Sequence, residues 1–250
     1  MLKIISDAYS NGLFTAVIPQ MPGGIATAVM IAGIVLCALI GYVLGSLNFS
    51  LIVSKKMYND DVREHGSKNA GTTNMMRTYG AKAAGITILG DILKAIVAVV
   101  LCSFLMGVMH GGYASAVGAV LGHVFPVFYK FRGGKGVATA AAAILVLNPI
   151  AFAIVIGVFL LTVIFTRFIS LGSVLAAAVF PLLTYYTYFS GTSAFPGSGF
   201  AFICSLIIAL TVILKHHENL SRLAHGNETK FKFKKSKKVG KNDENDKNNE

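Results

Sequence analysis

Polar interruptions divide the chain into seven apolar runs, continuous rather than spaced at the two- or three-residue interval of half-buried elements. They cover about 24–53, 83–108, 113–128, 136–147, 150–166, 169–189 and 200–214. Runs of this kind mark helices that cross a bilayer. The pattern predicts an all-α fold, a bundle of seven transmembrane helices. The third and fourth runs are short for about 30 Å of hydrocarbon at 1.5 Å per residue, so they must tilt or partly re-enter. Two short helices facing each other leave room for a cavity on one side.

The connecting segments sort by charge. Lys55, Lys56, Arg63, Lys68, Arg77 and Lys82 follow the first run, Lys130, Arg132 and Lys135 the third, and Arg167 the fifth; the loops at 109–112, 148–149 and 190–198 hold no Lys or Arg. Short cytoplasmic loops retain basic residues. The expected topology therefore has the N-terminus outside, the C-terminus cytoplasmic, and every basic, Gly-rich loop inside. Residues 1–23 contain Pro19 and Pro22, lack the features of a secretory signal, and are expected to form an external N-terminal extension. Residues 24–229 form the transmembrane domain, and the Lys/Asn-rich stretch 230–250 reads as a basic, disordered cytoplasmic tail, placed against anionic headgroups or merely solubilising.

Composition narrows the class. Fifty-four per cent of the 250 residues are hydrophobic and 13% charged, against about a quarter charged in a soluble domain. That excludes a soluble enzyme, a disulfide scaffold and a disordered chain. The net charge of +11 lies in loops and tail without interleaved aromatics, which fits a membrane surface and not nucleic acid. Cys37, Cys102 and Cys204 lie inside apolar runs without metal-like spacing and read as packing thiols. There is no carboxylate cluster for a metal, no cofactor is expected, and no pattern fixes an oligomeric state.

Four segments carry chemistry that packed helices do not need. The stretch 63–77 sets Gly66 and Gly71 among Ser67, Asn69, Thr72, Thr73 and Asn74, and ends in Arg77. Glycines let successive N–H groups face one concavity, and such nests bind phosphate, which an arginine can then grip with two prongs. The competing reading is a polar loop with helix caps at Ser67 or Thr73. Around Lys135, Gly133, Gly134 and Gly136 open a helix as phosphate-binding turns do, although the Walker spacing is missing and an interfacial turn has the same composition. Ser173 lies about one turn into the sixth run, where its hydroxyl can meet a ligand or bond back to its own helix. After the seventh run, His216, Asn219 and Arg222 share a helical face, either to hold a polar substrate or simply to meet solvent. Within the second run Asp91 and Lys94 are three apart and read as a mutually neutralising pair, functional or tying the first loop to its helix; His123 reads as a hydrogen-bonded interior histidine.

In this order and on this topology, the segments 45–55 (GSLNFSLIVSK), 63–80 (REHGSKNAGTTNMMRTYG), 91–95 (DILKA), 122–140 (GHVFPVFYKFRGGKGVATA) and 216–228 (HHENLSRLAHGNE) resemble the bacterial acyl-phosphate-dependent glycerol-3-phosphate acyltransferases, multi-pass enzymes of the cell membrane. The resemblance covers roughly residues 25–229, with Asn48 where the family usually has Pro and Gly66-Ser-Lys-Asn69 where it has GSGN. It implies transfer of an acyl group from acyl phosphate to the 1-hydroxyl of glycerol 3-phosphate, giving lysophosphatidic acid and phosphate. It also implies Ser67, Arg77, Lys135, His216 and Asn219 as catalytic residues. Gly66, Asn69, Gly71, Thr72, Thr73, Asn74, Gly133, Gly134, Gly136, Ser173 and Glu228 are then expected to contact substrate. Both substrates are anions, so Arg77 and Lys135 are the evident counter-charges, and an activated acyl donor needs no nucleophilic serine.

Two other classes compete. Thioester-dependent acyltransferases carry His and Asp separated by four residues, a spacing that none of the six histidines has. A transporter or flippase for a phosphate-bearing metabolite or lipid suits seven spans, but transporters commonly show two related halves and a midplane site, whereas the charges here crowd one face.

Overall fold

The computed structural model describes residues 2–189 and 197–231. Among the described residues the chain is helical throughout, without a strand: α1 (Leu2–Asn11), α2 (Gly23–Gly45), α3 (Phe49–Tyr58), α4 (Thr72–Tyr79), α5 (Ala81–Met106), α6 (Tyr113–Val124), α7 (Val137–Leu147), α8 (Pro149–Thr166), α9 (Ile169–Phe189), α10 (Ser198–Leu214) and α11 (His217–Ala224). Four stretches, Gly23–Tyr58, Ala81–Tyr129, Pro149–Thr166 and Ile169–Phe189, are long and apolar enough to cross a membrane, and α10 with α11, bent by 52°, makes a fifth. The expected loop at 190–198 and the basic tail lie mostly outside the described residues. Lys230, at the start of that tail, sits over the Phe168 ring, 5.7 Å from its centroid.

The first apolar run, expected to be one helix, is two. It breaks at Ser46–Asn48 because Asn48 turns extended (φ −79°, ψ 106°) and its Oδ1 caps α3 by accepting the Leu51 N–H at 3.3 Å. A similar device separates α7 from α8, where Asn148 Oδ1 accepts the Ala151 N–H at 2.9 Å and Pro149 opens the next helix. Between α5 and α6 a π-helical turn, Gly107–Gly112, reverses the chain, and the two helices run back along each other until His123 reaches Asp91.

The centre of the bundle is a seam of small residues. An ideal Cβ on Gly41, Gly45, Gly118 or Gly122 would lie 2.1–2.2 Å from a backbone oxygen of Ser115, Ala119, Ala38 or Tyr42 respectively. These pairings advance together along both chains, so α2 and α6 are parallel and in backbone contact, the way helices associate in lipid where apolar burial drives nothing. α5 runs opposite to α2, with Cys37 beside Cys102 and Gly33 against Met106. Tyr113, Val120, Ala143, Ile144, Phe180 and Ile208 form the main core with α7, α9 and α10.

The N-terminal extension is part of this body rather than a detached arm. The Tyr9 hydroxyl donates to the Val146 carbonyl (3.2 Å), its ring meets Phe104 edge-on, and the Leu13 N–H donates to the Phe104 carbonyl (2.8 Å). It covers the bundle end opposite the basic loops. At the basic end, Leu51, Val53, Val62, Ala70, Met75, Ala83 and Ala84 bury themselves together and seat the first polar segment on the helices.

Candidate active site

The first loop is built around one amide. Asn74 is buried; its Oδ1 accepts the Ser67 N–H (2.9 Å) and its Nδ2 donates to the carbonyls of Val62 (2.9 Å) and His65 (3.0 Å). Its side chain therefore holds the loop's shape from beneath. Gly66 has φ +56°, and a Cβ there would lie 2.3 Å from the Asn74 Oδ1, so only glycine fits. Gly71 precedes α4, Thr72 and Thr73 open that helix, and Arg77 stands exposed in its last turn. Ser67 is exposed and Asn69 half-buried on the rim. Arg63 straps this loop to the second: held by Asp61, its Nη1 donates to the carbonyls of Tyr129 and Arg132, each at 3.1 Å.

The second loop lies directly against the first. The N–H groups of Gly133 and Gly134 donate to the carbonyls of Val124 (3.2 Å) and His123 (3.1 Å). A Cβ on Gly134 would fall 2.5 Å from the Ala70 carbonyl oxygen and 2.3 Å from His123 Nε2, so glycine here is the condition for the two loops to touch. Gly136, at φ +78°, opens α7.

From this turn Lys135 reaches across to the C-terminal segment, where its ammonium donates to Asn219 Oδ1. The chain of contacts continues. Asn219 Nδ2 donates to Glu228 Oε1 (2.7 Å), which also accepts the Ser170 hydroxyl (2.7 Å), while Arg222 Nε donates to Glu228 Oε2 (2.9 Å). Burial lowers Lys135 to about 8, with Arg222 and Arg77 pushing the same way and Glu228 and Glu218 opposing. Both guanidiniums thus act on the same ammonium. Glu228 is held below the usual carboxylate range by Asn219, Ser170 and Arg222, which outweigh its burial. His216 is buried, and its Nδ1 lies 2.7 Å from the Val212 carbonyl. A carbonyl can only accept, so the ring proton is on Nδ1 and Nε2 keeps its lone pair. Burial pushes His216 down to about 4, and the Lys135 charge adds to that.

Of the residues expected in a site, the structure joins Lys135, Asn219 and Glu228 in one hydrogen-bonded group, with His216 near enough to feel the Lys135 and Glu228 charges and Arg77 and the Gly66–Thr73 rim at the same end. Ser173 does not aim outward: its hydroxyl donates to the Ile169 carbonyl at 2.9 Å, the back-bonding alternative. Ser170 and Arg222, which the resemblance does not place among the site residues, both hold Glu228. Arg222 was legible on the polar face it shares with Asn219, and Ser170 as the second hydroxyl of the segment that ends at Ser173. Among the described residues no group of three or more His, Cys, Asp or Glu could hold a metal ion.

A helical bundle with several membrane-length spans, and with cations from two glycine-rich loops gathered at one end, has the build of an integral membrane protein with a cationic face. The model of the family "Glycerol-3-phosphate acyltransferase" matches residues 35–226. The chain belongs to this family and is an acyltransferase. It is 44% identical over 197 residues to the glycerol-3-phosphate acyltransferase of Trichlorobacter lovleyi, covering 76% of this chain and 94% of that one. With the enzyme of the same description from Clostridioides difficile it is 36% identical over 206 residues, covering 80% and 97%. Among solved structures, PlsY (YgiH), an integral membrane glycerol 3-phosphate acyltransferase, is similar in its glycerol 3-phosphate form: TM-score 0.71, 28% identity, 80% of this chain and 96% of that one. Its lysophosphatidic acid form gives 0.69 at 26% identity, over 80% and 95%.

Proposed function

We propose that this chain transfers the acyl group of an acyl phosphate to the 1-hydroxyl of glycerol 3-phosphate, in one step and at the cytoplasmic face of a bacterial cell membrane. The hydroxyl oxygen attacks the acyl carbon, the bond from that carbon to the phosphate oxygen breaks, and lysophosphatidic acid and inorganic phosphate leave, the hydroxyl proton ending on the departing phosphate. The observation that supports this reading is the junction of Lys135 with Asn219 and Glu228, near enough to His216 for the Lys135 charge to act on its ring, while the other glycine-rich loop lies against the loop that carries Lys135.

Each group has a task that its chemistry suits. Arg77 and Lys135 counter the phosphates of donor and acceptor, and their fixed charge stabilises the leaving phosphate without reorganisation at the moment of reaction. The N–H groups of Ser67, Lys68, Gly71, Gly133 and Gly134 hold the two loops together, so further donors come from the N–H groups that open α4 at Thr72 and Thr73, with the Ser67, Asn69, Thr72 and Thr73 side chains at the rim. Asn219 and Glu228, with Ser170 and Arg222 behind them, fix the Lys135 ammonium. His216 offers Nε2 as an acceptor that orients the attacking hydroxyl, and holding the two reactants in line supplies much of the gain. Seven passes fit the helix directions: α2, α6, α8 and α10 lead toward the basic end and α5, α7 and α9 away from it, with α3, α4 and α11 on that face. The one-sided Lys and Arg content supports an external N-terminus.

The test is to supply the purified protein in lipid with acyl phosphate and glycerol 3-phosphate and to assay phosphate and lysophosphatidic acid together. Equal release of both supports the reading; lysophosphatidic acid from acyl thioester alone would overturn the donor. For His216→Gln, which keeps an amide near the imidazole but cannot hold a proton, we expect turnover to fall far more than KM. A variant that retains most of its turnover would assign the proton to a substrate phosphate oxygen.

A further inference from the structure

One group of charges lies beneath the site without touching any residue assigned to it through a side-chain bond. Asp91 and Lys94 of α5 form an ion pair at 2.7 Å with both side chains 2% exposed. The Lys94 ammonium also donates to the carbonyls of Gly45 and Leu47, each at 2.9 Å, and lies 3.0 Å from His123 Nδ1. An ammonium has three N–H groups and no lone pair, so Lys94 serves the two carbonyls with two of them and shares the third between Asp91 Oδ1 and His123 Nδ1, which lie 3.5 Å apart; Nδ1 is then an acceptor and the ring proton lies on Nε2. Mutual neutralisation of two charges in a membrane requires only Asp91 and Lys94; it explains neither the two carbonyls nor the histidine.

Those extra partners are the roots of both loops. Gly45 ends α2 and Leu47 lies within the break before α3, and Asp91 Oδ1 accepts the Phe49 N–H at 3.4 Å, fixing the first turn of α3. From the same break Asn48 Nδ2 donates to the Ala70 carbonyl at 3.5 Å, next to Gly71 at the start of α4 and hence of the helix that carries Arg77. On the other side, the His123 carbonyl accepts the Gly134 N–H and the His123 ring lies directly under Gly134, one residue from Lys135. A single buried ammonium is thus bonded to the base of the loop that leads to Arg77 and to the base of the loop that carries Lys135.

We propose that Asp91, Lys94 and His123 are a positioning triad that sets the separation of Arg77 and Lys135. Its role in turnover rests on the acyl-transfer reading; its role in geometry does not, and the two are tested separately. The variant Asp91→Asn/Lys94→Met removes both charges together and leaves no orphan in the bilayer, since an unpaired buried charge would obscure the result. Spin labels on Met76→Cys and Arg132→Cys, both exposed, report the distance between α4 and the second loop. We expect one narrow distance distribution in the labelled parent, a broadened or shifted one in the neutral double variant at unchanged helix content, a fall in kcat of tenfold or more and a raised KM for glycerol 3-phosphate. An unchanged distribution together with parental kcat and KM overturns the triad and leaves a plain charge pair. If the double variant does not fold, His123→Asn and His123→Phe decide. Asn keeps an acceptor for the ammonium and is expected to restore the narrow distribution and at least a third of kcat, whereas Phe fills the volume and is expected to do neither; equal behaviour of the two overturns the proposal. Should the parent itself form no lysophosphatidic acid, the acyl-transfer reading fails, and the distance measurement still tests the triad.

Discussion

At the residue scale the site turns on how far burial can weaken a cation before it stops serving an anion. Lys135 at about 8 loses its ammonium as pH rises through that value. With Lys135 as the needed cation, kcat/KM falls above about pH 8, and Lys135→Arg, charged beyond pH 10, removes that decline at a lower plateau. A Lys135→Arg enzyme that keeps the same alkaline limb would assign it to another group. Stability moves the opposite way. Between about 8 and the ordinary lysine value of 10.5 the unfolded chain binds more protons, so Lys135 makes the fold more stable as pH rises across that window. His216 adds a second dependence: from the ordinary 6.5 down to its folded value of about 4 the unfolded chain again holds more protons, so acid weakens the fold there, by roughly 3 kcal/mol once both values are passed. Glu228→Gln withdraws the charge that supports Lys135, and the alkaline limb is expected to move to lower pH in a rate profile; an unmoved limb would show that Glu228 acts by hydrogen bonds alone.

At the scale of elements, the loops matter through what they lack. Gly134→Ala places a methyl group where the Ala70 carbonyl and the His123 ring already stand, at 2.5 and 2.3 Å. The two loops must part. We expect a fall in kcat/KM of at least about tenfold with a loss of stability of about 1–3 kcal/mol, the usual cost of overpacking, read by kinetics and thermal unfolding; full activity would mean that loop contact is dispensable. The apolar runs made the long helices legible, and Asn148-Pro149 marked a boundary. The break at Ser46–Asn48 was not legible, because apolar residues continue on both sides of it and its anchor, Lys94, is 46 positions downstream of Asn48. Likewise Asn74 and Ser67 fell together in one polar motif, but that Asn74 faces inward to hold the loop depends on the buried platform of Val62 and Met75 beneath it.

At the scale of the whole molecule, membrane class and one-sided charge could be read from composition, whereas the packing of the extension could not, since its contact with Phe104 and Val146 depends on three-dimensional neighbours without sequence signature. The extension lies at the end away from the site. Removing residues 1–22 is therefore expected to lower the thermal midpoint by a few degrees while leaving kcat/KM within about twofold, because about 1–3 kcal/mol is typical for losing such contacts. A large loss of turnover at unchanged stability would contradict this separation of roles.

The Lys135–Asn219–Glu228 junction joins parts of the chain made far apart in time. A nascent polypeptide already inserted as far as α9 holds its cations ready but has nothing to aim them, so on the proposed assignment it is inert. Competence arrives only with α10 and the short helix behind it, and an enzyme of this build stays silent in the bilayer until those two segments have been made and docked.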